Sequence, residues 1–213
     1  MMKLLYGTKN KAKLESMKRI VQSLDIEIIG LHELDCPIPF IDENGANPLE
    51  NAVIKAKQLY EIFQIPVFSC DSGLFFKNLD DRLQPGTHIR RVNGKELTDE
   101  EMIRYYSNLA SLHHDQLIGY YQNAICFIYD KEHIYKSMDA SLSTEPFLLV
   151  SQPHFKKVAG FPLDCLSVDI HSKQYFYDLK DKTVDQSAIE IGFKNFFEKC
   201  LLQIKKEKTG IDK

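Results

Sequence analysis

Apolar positions along this chain follow two periods, and the switches between them mark out its elements. Lys3 to Gly7 has the apolar run of a short buried strand, and Leu14, Met17, Ile20, Val21 and Leu24 then recur at helical spacing. A tight polar turn separates the two. Asp25 to Leu31 predicts a second strand, followed by a loop marked by Pro37, Pro39, Asn44, Gly45, Asn47 and Pro48. Leu49, Ala52, Val53, Ala56, Leu59, Tyr60 and Phe63 form one helical stripe, with Glu50, Asn51, Lys55 and Lys57 on other faces. Ile65 to Cys70 predicts a strand that ends at Asp71-Ser72-Gly73, and open α/β sheets hold ligands at the carboxyl ends of their strands.

The second half is more broken. Asp80 to Gly94 is polar and rich in turn residues, and Thr98 with Glu101 predicts a capping box that opens a helix through about Ser111. Leu117 to Tyr129 and His133 to Leu142 predict an antiparallel ribbon turned at Asp130-Lys131-Glu132. Val158 to Leu166 surrounds a Gly160-Phe161-Pro162 turn, and Gln174 to Leu179 is rich in aromatic residues. Ile189, Phe193, Phe196, Phe197 and Leu201 predict a last helix over Asp185 to Ile204, with Lys205 to Lys213 a frayed, charged tail. This alternation of strands and helices is that of an α/β protein. We expect one domain over residues 1–213.

Composition narrows the function classes. A length of 213 residues with 44% hydrophobic content can bury a sizeable core. The 27 basic and 30 acidic residues give a net charge of −3 and are mixed along the chain, which leaves no broad footprint for duplex nucleic acid or an anionic membrane. An anion would have to be held by a local constellation. The five cysteines are scattered and form no CxxC pair, which argues against a zinc ribbon or a disulfide framework and fits a reducing cytoplasm. No apolar run approaches the roughly 20 residues of a membrane span. A cytoplasmic protein is expected.

The turn Gly7-Thr8-Lys9-Asn10-Lys11-Ala12-Lys13 offers backbone N–H groups, a hydroxyl, an amide and three ammonium groups at a helix amino terminus, all suited to phosphate. The same residues also describe a solvated, lysine-rich helix start. A Walker A loop is excluded, because its flanking glycines and Lys-Ser/Thr pair are missing. Glu50 and Lys55 open the next helix, where a carboxylate can hold Mg²⁺ and an ammonium can meet phosphate, or the two can be ordinary surface charges. Asp71-Ser72-Gly73 reads as a ligand site or a turn, and Pro85-Gly86 with Arg90-Arg91 as guanidinium groups for phosphate or as exposed arginines. The seven histidines lack metal-site spacing. Asp71 beside Cys70 disfavours its thiolate.

Thr8-x-Asn10-x-x-Lys13, Glu50-Asn51-Ala52-x-x-Lys55-Ala56, Asp71-Ser72-Gly73-Leu74, Pro85-Gly86-x-x-x-x-Arg91 and Gly160-Phe161-x-x-Asp164 occur together in this order. In series they resemble the inosine-triphosphate pyrophosphatases, which hydrolyse non-standard purine nucleoside triphosphates. The resemblance implies an elongated mixed sheet with two lobes flanking a nucleotide-binding cleft, assembled as a homodimer. Lobe one would be about residues 1–80 plus the last helix, and lobe two about 81–180. It further implies that Thr8, Asn10 and Lys13 bind the triphosphate, that Glu50 and Asp71 coordinate Mg²⁺, and that Lys55 neutralises phosphate charge. Asp71, Glu50 and Lys13 would be catalytic, and Ser72, Arg91, Phe161 and Asp164 would complete the substrate contacts. Three departures stand out. Cys70 occupies the place of a second acid, Lys9 that of a glycine, and Gln186, Glu190, Ile191 and Gly192 that of a lysine and a Ser-His-Arg that read the base. An altered base preference, weakened catalysis or a non-catalytic nucleotide-binding relative would follow.

Overall fold

Three polar residues start three of the four helices in the computed structural model, which describes residues 1–179 and 185–209. Asn10 accepts from the backbone N–H groups of Ala12 and Lys13 at 2.9 and 3.2 Å and opens α1 (Lys11–Ile20). Asn47 caps α2 (Pro48–Phe63), whose first residue is a proline with no N–H to leave unpaired. Thr98 and Glu101 form the expected capping box of α3 (Asp99–Leu112), and α4 (Asp185–Thr209) comes last.

The strands are β1 (Met2–Tyr6), β2 (Ile26–Gly30), β3 (Val67–Phe76), β4 (Arg91–Val92), β5 (Lys95–Glu96), β6 (Leu117–Ile128), β7 (Ile134–Ser137), β8 (Phe147–Leu149) and β9 (Ser167–Asp169). Seven of them make one mixed sheet in the order β2-β1-β3-β6-β8-β9 with β7 on β6, while β4 and β5 form a separate hairpin. The α/β class read from the sequence is the one observed. The chain groups into two units, Met1–Asp71 with Asn123–Leu142 and Ala188–Lys213, and Ser72–Gln122 with Ser143–Ser187.

In the first unit β1 runs parallel to β2, Met2 facing Ile26, and parallel to β3, Leu5 facing Val67. Because side chains alternate along a strand, each strand feeds two cores. Leu4, Tyr6, Phe68, Ile125 and Phe127 pack with Leu14 and Met17 of α1 and Phe197 of α4, whereas Leu5, Val67, Cys126 and Ile128 pack with Ala52, Ala56 and Leu59 of α2. In the second unit β8 pairs antiparallel with β6 and β9, and Leu74, Met102, Ile103, Tyr106, Phe147, Leu163 and Leu166 form the core around α3.

Several boundaries differ from the sequence reading. Asp71, Ser72 and Gly73 lie within β3, not at its end, since the buried pattern resumes at Gly73 and continues through Leu74 and Phe76. Helix α1 stops at Ile20, with Val21 as its cap, so Leu24 lies outside it. The ribbon of β6 and β7 is present with Ile125 facing Ser137, but β7 ends at Ser137, and residues 140–142 form a turn of 3₁₀ helix. Strands β8 and β9 were not anticipated. Helix α4 continues through Thr209 instead of fraying after Ile204, because Lys208 lies over the Tyr129 ring at 4.8 Å and Glu207 pairs with His133.

Candidate functional site

Helix α1 begins with an electrostatic conflict. Its first turn holds Lys11 and Lys13 and no acid, although a helix amino terminus carries partial positive charge and favours anions. Lys18 and Arg19 sit in the last turn, where cations belong. The turn before the helix is tied to itself: Asn10 N–H donates to Thr8 Oγ1 at 3.2 Å while the Asn10 side chain caps the helix. Burial lowers the Lys13 pKa, opposed first by the charge of Asp71. Lys55 pushes in the same direction as burial, and Cys70 and Glu43 oppose it. Lys13 of α1 therefore feels charges drawn from α2, β3 and the loop before α2, all of them in the first unit.

The start of α2 is fastened to that loop by three of its side chains. Glu50 accepts from the Ala46 N–H at 2.8 Å and from the Asn47 amide at 3.0 Å, while Asn47 caps Glu50 N–H at 3.0 Å in return. Asn51, only 2% exposed, accepts from Gly45 N–H at 2.8 Å and donates to Asp71 Oδ2 at 3.0 Å. Lys55 pairs with Glu43 at 2.6 Å. Gly45 has no room for a side chain, since a Cβ there would come within 2.6 Å of Glu50 Cβ and 2.8 Å of Asn51 Oδ1. Neither Asn51 nor Glu43 was assigned a role from the sequence. The proximity of Glu43 to Lys55 depends on how a loop folds back, which no local pattern encodes.

Cys70 is a thiol. Burial pushes its pKa up to about 12, Asp71 adds to the rise, and Lys13, Lys55 and a hydrogen bond with Tyr6 oppose it. The sequence reading had the right sign and named the smaller cause. Tyr6 stacks on Phe68 at 4.3 Å between ring centres.

Ser72, Arg91, Phe161 and Asp164 belong to the second unit. Ser72 is half-buried in β3, and Arg91 is exposed on the β4–β5 hairpin. Arg90 beside it is committed to structure, its guanidinium donating to Leu97 O at 2.8 Å and to Asp99 Oδ1 at 2.7 Å. Asp99 Oδ2 also accepts from Gly160 N–H at 2.8 Å, which holds the turn before Phe161 against α3. Gly160 sits at φ 85°, the left-handed region that suits glycine. Phe161 caps the short helix Pro162–Leu166, which carries Asp164. Burial raises the Asp164 carboxyl to about 6.

The Ham1 family model matches residues 4–145, about two thirds of the chain. The chain belongs to the Ham1 family. A dITP/XTP pyrophosphatase of Oceanobacillus iheyensis is 41% identical over 103 residues, and one of Coxiella burnetii 33% identical over 104. Those alignments cover 48% and 49% of this chain, and it spans about half the length of these curated relatives, 51% and 50%. The fold extends further. A HAM1 protein of Coxiella burnetii superposes with a TM-score of 0.71 over 96% of this chain and 100% of its own at 20% identity, and the Staphylococcus aureus Ham1 protein with 0.70 over 92% and 98% at 19%.

Gln186, Glu190, Ile191 and Gly192, which by the resemblance stand where base-reading residues are expected, all lie in α4. Gln186 falls outside the described side chains, and Ile191 is 55% exposed. Gly192 lies against the 140–142 turn so closely that a Cβ would come within 2.1 Å of Ser141 O. A side chain at position 192 does not fit this packing. Among the described residues no group of three or more His, Cys, Asp or Glu could hold a metal ion, and no helix is long and apolar enough to cross a membrane.

Proposed function

We propose that this protein is a Mg²⁺-dependent nucleoside-triphosphate pyrophosphatase that releases a nucleoside monophosphate and pyrophosphate, with an altered base preference. The observation that carries the reading is the electrostatic grouping of Lys13 with Asp71 and Lys55, at a helix start whose own charges call for an anion. In this reading Thr8, Asn10, Lys13, Lys55 and Arg91 hold the triphosphate, and Ser72, Phe161 and Asp164 complete the substrate contacts. Lys13 and Lys55 stabilise charge on the phosphate oxygens as water attacks the α-phosphorus and pyrophosphate leaves. Asp71 and Glu50 are the residues that would hold magnesium. Two carboxylates and no closed cage suit an ion that keeps several waters and is bound partly through substrate phosphates. The metal would supply further charge stabilisation at those oxygens. A homodimer in the cytoplasm is part of the same family reading.

The test is pyrophosphate release from a panel of standard and non-standard triphosphates with Mg²⁺, against a Glu50→Gln control. Turnover of at least one nucleotide well above that control is expected, and none above it would end the enzymatic reading. A second reading, a nucleotide-binding relative without catalysis, is favoured by one observation, the half-buried thiol of Cys70, its pKa pushed up, where the resemblance expects an acid. It predicts a nucleotide-induced thermal shift without turnover. A ligand at about 100 times its dissociation constant adds about 2.7 kcal/mol to the fold.

A further inference from the structure

We infer that Asn51 is a positioning residue, whose buried amide holds the Asp71 carboxylate and the 43–47 loop in one register. Its carboxamide has a donor end and an acceptor end, and both are used: Nδ2 donates to Asp71 Oδ2 at 3.0 Å, and Oδ1 accepts from Gly45 N–H at 2.8 Å. The side chain is 2% exposed, so a broken bond on either side leaves a polar group without water to replace the partner. The flanking contacts run the same way, with Glu50 taking the Ala46 N–H and Lys55 taking Glu43. Gly45 is seated so tightly on Glu50 and Asn51 that it cannot retreat toward α2 or carry a Cβ. The loop and the Asp71 carboxylate are thus two ends of one amide, and displacement of either end frees the other. What Asp71 does with a metal or with water rests on the pyrophosphatase reading; how it is held does not.

Two measurements on the full chain separate these parts. In the first, backbone amide exchange at Gly45 is followed by NMR in the wild type and in Asp71→Ala, with amides of α3 as a control for global opening. Removal of the carboxylate releases the Asn51 amide, and exchange at Gly45 is expected to rise about tenfold or more while α3 is unchanged. An unchanged Gly45 rate would overturn the coupling whatever the protein catalyses. In the second, Asn51→Leu removes both hydrogen bonds at nearly constant volume, Gly45→Ala displaces the loop end and presses on Glu50 as well as Asn51, and Asn51→Gln restores the amide. Losing a partner that orients a metal-binding carboxylate typically costs 10–100-fold in affinity or activity. Asn51→Leu and Gly45→Ala should lower kcat by that order, leave KM within about threefold and weaken Mn²⁺ binding measured by electron paramagnetic resonance. Asn51→Gln should recover part of each. A purely structural asparagine would instead lower Tm with kcat per folded molecule and Mn²⁺ affinity unchanged, and that result would also overturn the inference. If the wild type neither releases pyrophosphate nor takes up Mn²⁺, the pyrophosphatase reading fails, and the exchange result alone decides how Asp71 is held.

Discussion

Asp71 in the first unit and Asp164 in the second are both half-buried carboxylates, but their surroundings differ. Asp71 receives the Asn51 amide at 3.0 Å and shares its space with Lys13. For Asp164 burial alone acts, and it lifts the carboxyl to about 6. An acid that is given donors and cations remains available as an anion to a metal or to water. An acid left to burial takes up a proton near neutral pH and becomes a hydrogen-bond donor. The contrast sets a carboxylate with a donor and a cation beside it in the first unit against one governed by burial in the second.

The largest expected effect breaks the first half of that contrast. Lys13→Met removes a half-buried cation that interacts with Asp71. Pyrophosphate release should fall by about 100-fold, the order seen when one preorganised electrostatic contact is lost. Tm should hold or rise, since the burial that lowers the Lys13 pKa disappears with its ammonium. Activity within threefold of wild type would remove Lys13 from the machinery.

Next, Asp164→Asn tests the second half through stability. A carboxyl whose folded pKa is raised stabilises fully below its unfolded value, near 4, and that contribution is lost as pH rises through about 6. Denaturant unfolding should therefore find the variant more stable than wild type by about 2 kcal/mol at pH 7.5 and equal to it near pH 4. A difference independent of pH would mean that burial does not govern Asp164.

A smaller effect concerns the loop that shields Lys55. Glu43→Gln removes its partner, a half-exposed pair worth roughly 0.2–1 kcal/mol. Pyrophosphate, measured by calorimetry, should bind up to about fivefold more tightly, whereas weaker binding would show that Glu43 supports the anion site. The least effect is expected at His133, where a partner instead of burial leads. Asp130 is the first cause of its raised pKa, with Glu207 adding to it. Its stabilising contribution is complete below the ordinary histidine value of about 6.5 and fades as pH rises through the raised one. His133→Asn should thus lower Tm slightly at pH 6 and not at pH 9.

The fold was legible where local rules decide. The α2 stripe and the Thr98–Glu101 box predicted their helices because spacing and capping are short-range properties. Strands β8 and β9, each of three residues, carry too little pattern to be read, and β3 was cut short because Asp71 and Ser72 interrupt its apolar run. In the candidate site the order of motifs pointed to Lys13, Lys55 and Asp71. It included Asn51 without giving it a role, because an asparagine inside a helix looks like an indifferent choice until its two partners, six residues back and twenty ahead, are brought to it. The Glu43–Lys55 pair was hidden for the same reason.

Gly192 commits α4 to close packing. With the Ser141 carbonyl 2.1 Å from where its Cβ would stand, helix α4 has settled into space that a larger residue must leave open. Any side chain at this position would require the turn at residues 140–142 to withdraw. The missing methyl group thus acts as a spacer of zero length, which sets how near α4 lies to that turn.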